Sequence, residues 1–302
     1  MLNKIRVHQI IYLILSLFLI FFNQQNPFFK LSDINSSLAA IFLVIMSFGV
    51  SHGASDSIVI WNAYSKLKTK AIAFLIYLSI VILGLLLWFQ SPALGLVILL
   101  LMSIFHFGES DLTYLKKVSR SIKVSWGFAM TLLPVIFYEN DVKTIFDLLV
   151  NFEINLNVFL ALKIFTLFFI CIFLFLVYLS NIIAKKDKFF LFLEFLITLI
   201  LAGFLQPLYW FAFYFCFLHG IRALINIGIN SFRDFLFLII FTLPVTFFAY
   251  FVLFENLNIK YLNIIFSILM ALTISHMFLP AINRYLSNFF SYHVFWCFAR
   301  CF

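Results

Sequence analysis

Charged side chains are scarce in this chain: they make up 11% of its 302 residues, and 65% are hydrophobic. An ordinary soluble domain carries roughly 25% charged residues. A soluble fold of this length has too little interior to hide that much apolar surface. Cysteine is also rare. Cys171, Cys216, Cys297 and Cys301 form no paired metal-binding pattern. Cys171 and Cys216 lie in apolar segments, where a free thiol behaves as a small hydrophobe, and nothing in the set requires an oxidising compartment. Basic charge gathered on one face is missing as well. The net charge of +8 is spread among short loops, which excludes a nucleic-acid partner as its explanation. No linker marks a second domain, and no internal repeat is evident.

What the chain does have is apolar length. Runs suited to spans of roughly 17–25 residues lie at about 8–23, 37–53, 71–90, 92–108 and 121–138. Further runs lie at about 162–183, 189–206, 208–227, 235–254 and 261–281. The sequence therefore predicts an all-α polytopic transmembrane bundle of about ten spans (eight to ten), one integral membrane domain over residues 1–302. The dense stretches 71–108 and 189–227 each leave room for a re-entrant segment. The tail 285–302 carries no clear structural signal. Lys4 and Arg6 precede the first run as in a signal peptide, but the segment Phe22–Pro27 offers no small-residue cleavage site. An uncleaved first span is expected.

Loop charge gives the orientation. One set of loops carries Lys4, Arg6, Lys66, Lys68, Lys70, Lys116, Lys117, Arg120, Lys185, Lys186, Lys188, Arg233 and Arg284. The opposite loops carry Lys30, Lys143 and Lys260 beside Asp141, Asp147, Glu153 and Glu255. Under the positive-inside rule this predicts a cytoplasmic N-terminus and a multi-pass protein of the cell's inner membrane.

In that orientation four of the six histidines fall near the cytoplasmic ends of their segments: His52, His106, His219 and His276. His8 and His293 read as interfacial or solvated. Neutral imidazole is the commonest metal ligand, and ionisable groups in a membrane usually face a bundle interior or a water-filled cavity. Agreement in depth favours a metal site over four separate hydrogen-bonding histidines. Carboxylates stand close by. Asp56 lies four residues after His52, on the same face if the helix continues, while Glu109 and Asp111 follow His106. Each is a candidate partner that would fix an imidazole tautomer, with solvation at the membrane edge as the alternative. Arg222 is either part of the same surroundings or a membrane-edge anchor. Two other classes stay open. A proton-relaying permease would place charges along a path across the bilayer, but few acids lie within the spans, Glu194 being the clearest. A lipid desaturase or hydroxylase would carry HxxxH or HxxHH boxes, which are missing.

The blocks themselves match a known family. His52-Gly53 through Asp56, His106-Phe107-Gly108 through Asp111, the aromatic run Tyr214–Leu218 leading to His219 and Arg222, and His276-Met277 follow one another in order from about residue 40 to 285. The chain resembles the Brp/Blh family of membrane proteins, the beta-carotene 15,15'-dioxygenases. That resemblance implies an Fe(2+) centre held by His52, His106 and His219, with beta-carotene and O2 as substrates. It further implies two all-trans-retinal molecules as products, the lipid bilayer as surroundings and a retinal-binding rhodopsin as a possible product acceptor. Tyr209, Trp210, Phe211, Phe213, Tyr214, Phe215 and Phe217 become candidates for the wall of a substrate tunnel, with lipid-facing packing as the alternative. One departure stands out. The family has a further histidine four residues beyond the one matching His219, and Ala223 occupies that position here. The alternatives are a three-histidine site, a site completed by His276, or a weakened site in a diverged or inactive protein, the diverged one acting on another apolar isoprenoid.

Overall fold

Helices account for the regular structure among the described residues, and six of them are apolar and long enough to cross a membrane. The computed structural model describes residues 2–25, 44–45, 49, 53–115, 117–229, 231–254 and 260–298, with side chains left undescribed at 24–25, 244–245, 248–261 and 288–298. In hydrocarbon every backbone polar group must be satisfied within the protein, which a helix does within one segment. The helices are α1 (Leu2–Gln25), α2 (Asp56–Ala63), α3 (Leu67–Gln90), α4 (Pro92–Asp111) and α5 (Arg120–Leu132). They continue with α6 (Pro134–Phe137), α7 (Glu139–Val150), α8 (Leu156–Leu179) and α9 (Lys185–Phe204). Next come α10 (Pro207–Phe213), a π-helical segment (Tyr214–Gly220) and α11 (Ile221–Ile227). The last two are α12 (Phe232–Phe254) and α13 (Lys260–Phe298).

Most of the expected spans coincide with these helices, and the differences have local causes. The expected span 121–138 is divided at Pro134, which lacks the N–H that would continue the ladder and opens α6 instead. The amphipathic α7 occupies a stretch expected to be a loop, and Asn151 closes it with a left-handed backbone. Asn tolerates that conformation better than most residues. The span expected at 37–53 lies largely outside the described residues. The tail to which no structure was assigned continues α13 to Phe298.

Lipid-facing and interior surfaces separate clearly. On α3, Leu75, Leu78, Ile82, Leu83, Leu86 and Phe89 are all exposed, an apolar face that a soluble monomer would not leave open. These helices are those of a membrane protein. Inside the bundle, polar pairs join them: Trp88 donates to Asn263 at 2.7 Å, and Asn263 donates to the Leu149 carbonyl at 3.0 Å. Arg6 of α1 pairs with Asp187 of α9, and Tyr12 meets Thr198 at 3.1 Å.

A close helix contact joins α4 and α5. A Cβ added to Gly127 would overlap the Ile104 carbonyl oxygen, and one on Gly108 would overlap the Lys123 carbonyl. Small residues let membrane helices approach to this distance. Gly203 differs, because its added Cβ would make ordinary contact with the Phe137 ring at 3.5 Å. Gly127→Ala is therefore expected to destabilise the detergent-solubilised protein by about 1–3 kcal/mol, and Gly203→Ala not to. Paired thermal melts of the two variants check this.

Candidate functional site

The close α4–α5 packing presents the end of α4, with His106 and Asp111, to the π-helical segment that carries His219. A π turn adds a residue to the helical register and is frequent at functional sites. Both His106 and His219 are buried, the latter completely. Their Nε2 atoms lie 3.1 Å apart. From the other side, α13 brings His276, whose ring centroid is 4.7 Å from that of His106; the His106–His219 centroid distance is 4.8 Å. Pro280, four residues after His276, has no N–H to offer the His276 carbonyl, so the helix ladder is interrupted at the histidine. Three of the four histidines chosen from sequence therefore converge. His52 lies outside the described residues, as does its expected pairing with Asp56.

Asp111 accepts hydrogen bonds from three donors. His219 Nδ1–H reaches its Oδ1 at 2.8 Å, while the Tyr214 hydroxyl and Trp126 Nε1–H reach its Oδ2 at 2.6 and 3.0 Å. Behind it, Arg222 Nη1 donates to the Asp111 carbonyl at 3.2 Å and, with Nη2, to both carboxylate oxygens of Glu194 at 2.7 and 2.8 Å. Gln9 of α1 adds a donor to Glu194 at 2.8 Å. Arg222, Glu194 and Asp111 have no exposed side-chain surface. An isolated buried charge costs on the order of several kcal/mol after relaxation, so each member needs the others. Asp56, on the far side of the histidines, accepts from His276 Nδ1–H at 2.6 Å and from the Tyr77 hydroxyl at 2.8 Å.

Not every residue chosen from sequence belongs to this constellation. Glu109 pairs with Lys123 at 2.5 Å, and its side chain is 57% exposed, on the outer surface of the bundle. His8, expected to be interfacial, is buried and donates through Nε2 to the Phe217 carbonyl of the π segment at 2.7 Å, because α1 packs against that segment. Glu194 was noted only as an acid within a span; nothing in a single sequence pairs it with Arg222, 28 positions away. Tyr77, Trp126 and Gln9 carried no signal at all, since each meets its partner only through tertiary packing.

An apolar cavity opens beside the histidines. His106 and His276 line it together with Leu99, Ser103, Phe146, Phe211, Phe215 and Phe266, among other side chains. Of the aromatic run, Trp210, Phe211 and Phe215 reach the cavity. Phe213 stacks on Tyr12 at 5.4 Å instead, and Tyr214 turns its hydroxyl to Asp111. Tyr209 and Phe217 are absent from the lining.

The donor chemistry suits a metal ion. His219 and His276 each direct Nδ1–H to a carboxylate, which assigns the lone pair to Nε2 and orients the ring. Metal–nitrogen bonds of roughly 2.0–2.1 Å place adjacent ligand nitrogens about 3 Å apart, and the His106–His219 separation of 3.1 Å matches. Among the described residues, no three His, Cys, Asp or Glu side chains are already grouped around one point.

Comparison with known proteins bears on this geometry. The beta-carotene 15,15'-dioxygenase family model matches residues 43–282. A beta-carotene 15,15'-dioxygenase from uncultured marine bacterium 66A03 is 30% identical over 193 residues, which cover 61% of this chain and 66% of that protein. The match thus spans just under two thirds of that relative's length. No solved structure matches. A family match over most of the chain, including the converging histidines and both carboxylates that hold them, makes this protein a member of the beta-carotene 15,15'-dioxygenase family.

Proposed function

We propose that this protein cleaves the central 15,15' double bond of beta-carotene with O2, giving two molecules of retinal, at an iron(II) ion bound by the clustered histidines. The observation that carries this reading is the position of His106 and His276 in the wall of an apolar cavity, with His219 touching His106 from behind. A hydrocarbon substrate offers no polar handle, so shape and apolar contact must orient it. Such orientation lowers the barrier by presetting the reacting geometry. In this reading His106 and His219, together with His52, hold the ion. When bound, iron(II) supplies the activation of O2, and each carbon of the cleaved bond gains one oxygen atom.

The chain's own residues do the rest. Asp111 keeps the His219 ring in one orientation with its Nε2 toward the site, and Tyr214 and Trp126 keep Asp111 in place. Phe211, Phe215 and Phe266 line the cavity with aromatic surface and keep water from the reacting carbons. Substrate enters from the bilayer and products return to it, where a retinal-binding rhodopsin is a suitable acceptor. The loop charges read from the sequence support a cytoplasmic position for this end of the bundle, in an inner-membrane protein of about ten spans.

Bacterial cells that make beta-carotene provide the test. Expression of this chain is expected to produce retinal and bleach the orange colour, and His106→Ala is expected to do neither at equal membrane abundance. Intact carotene in cells whose membranes contain the unmodified protein would overturn the reading. A second expectation concerns Asp111. Asp111→Asn should lower iron retention, measured by metal analysis of purified protein, by about 10–100-fold, the usual effect of removing a partner that orients a ligand histidine.

A further inference from the structure

Two buried carboxylates in this bundle repeat one arrangement. Asp111 takes the His219 Nδ1–H on one oxygen and the Tyr214 hydroxyl on the other, at 2.8 and 2.6 Å. Asp56 takes the His276 Nδ1–H on one oxygen and the Tyr77 hydroxyl on the other, at 2.6 and 2.8 Å. The second set comes from α2, α3 and α13, none of which contributes to the first. Both imidazoles pack against His106 with their ring planes steeply inclined to its own, at interplanar angles of 73° and 77° and centroid distances of 4.8 and 4.7 Å. A hydrogen-bonded link that only tied α2, α3 and α13 together would not need its imidazole to stand in the cavity wall against a second histidine. His276 does both.

Position 223 sharpens the point. Ala223 is buried, 3% exposed, on α11, so the helix that carries Arg222 brings no imidazole from that position. We propose that His276, held by Asp56 and Tyr77, supplies the metal with a further imidazole beside His106 and His219, so that the centre of this chain is closed by its last described helix. Asp56 and Tyr77 are then positioning residues that act through His276, as Asp111 and Tyr214 act through His219. The inference rests on the reading of the site as an iron centre.

Metal binding, rather than turnover, tests it. Metal-free purified protein is titrated with iron(II), and separately with cobalt(II), whose visible absorption reports ligand number and geometry. His276→Gln keeps a side-chain N–H for Asp56 but offers no imidazole, so it separates a ligand from a structural link. The expected result is a melting temperature close to that of the unmodified protein, metal affinity lowered at least tenfold, and an altered cobalt spectrum. Asp56→Asn should lower affinity by about 10–100-fold, and Tyr77→Phe should lower it less. Adding Ala223→His to His276→Gln should restore affinity. Unchanged affinity and spectrum in His276→Gln would overturn this inference and leave the iron reading standing. An unmodified protein that binds neither metal would overturn both. Should His276→Gln fail to fold, Tyr77→Phe decides alone: it keeps the ring, and unchanged metal affinity in that variant would overturn the positioning role of the second set.

Discussion

The buried carboxylate of Asp111 gathers donors from two separate stretches of chain, Trp126 from α5 and Tyr214 and His219 from the π segment, while Arg222 of α11 donates to the backbone carbonyl of the same residue. Because the Asp111 side chain has no exposed surface, the charge has to be met by neighbouring groups of the protein. Satisfying the carboxylate and orienting the imidazole are therefore one event. The guanidinium that closes over Asp111 brings a charge of its own, and Glu194 and Gln9 extend the network to α9 and α1. Loss of any one member leaves a buried polar atom without its partner, so the members of the network depend on one another.

Irregular backbone serves the same end. The π segment turns His219 toward His106 while its Phe217 carbonyl accepts from His8. Pro280 interrupts the ladder at His276. Gly108 and Gly127 remove the side chains that would hold α4 away from α5. In a bilayer such departures from ideal helix persist only where neighbouring protein satisfies the freed groups, and all of them lie around the histidines. The apolar cavity follows from the same packing, because the aromatic side chains that α10 and the π segment turn inward meet those of α7 and α13 beside His106 and His276.

Particular residues show how far the sequence could be read. His106, His219 and His276 were legible because an ionisable ring within an apolar run is costly and needs a reason. Asp111 and Asp56 were legible as nearby carboxylates, although Asp56 meets His276, 220 positions away, and its nearer neighbour His52 lies outside the described residues. Glu109 looked equivalent to Asp111 and is not. At the C-terminal end of α4 two residues decide between lipid surface and interior, and Glu109 turns out to Lys123. Tyr77 and Trp126 were invisible for the opposite reason, as tyrosine and tryptophan are ordinary residues of a membrane helix.

Local composition determined the class of this protein, the position of most helices and the histidines that stand out within apolar segments, because hydropathy and helical propensity act over neighbouring residues. Only the tertiary structure decided which carboxylate serves which histidine and which aromatics line the cavity. Those choices depend on helix rotation and on contacts between residues tens to hundreds of positions apart. The pressure that selects among them is the need to pair the buried charges of Asp111, Glu194, Arg222 and Asp56 at once, a condition on several helices together that no single segment carries.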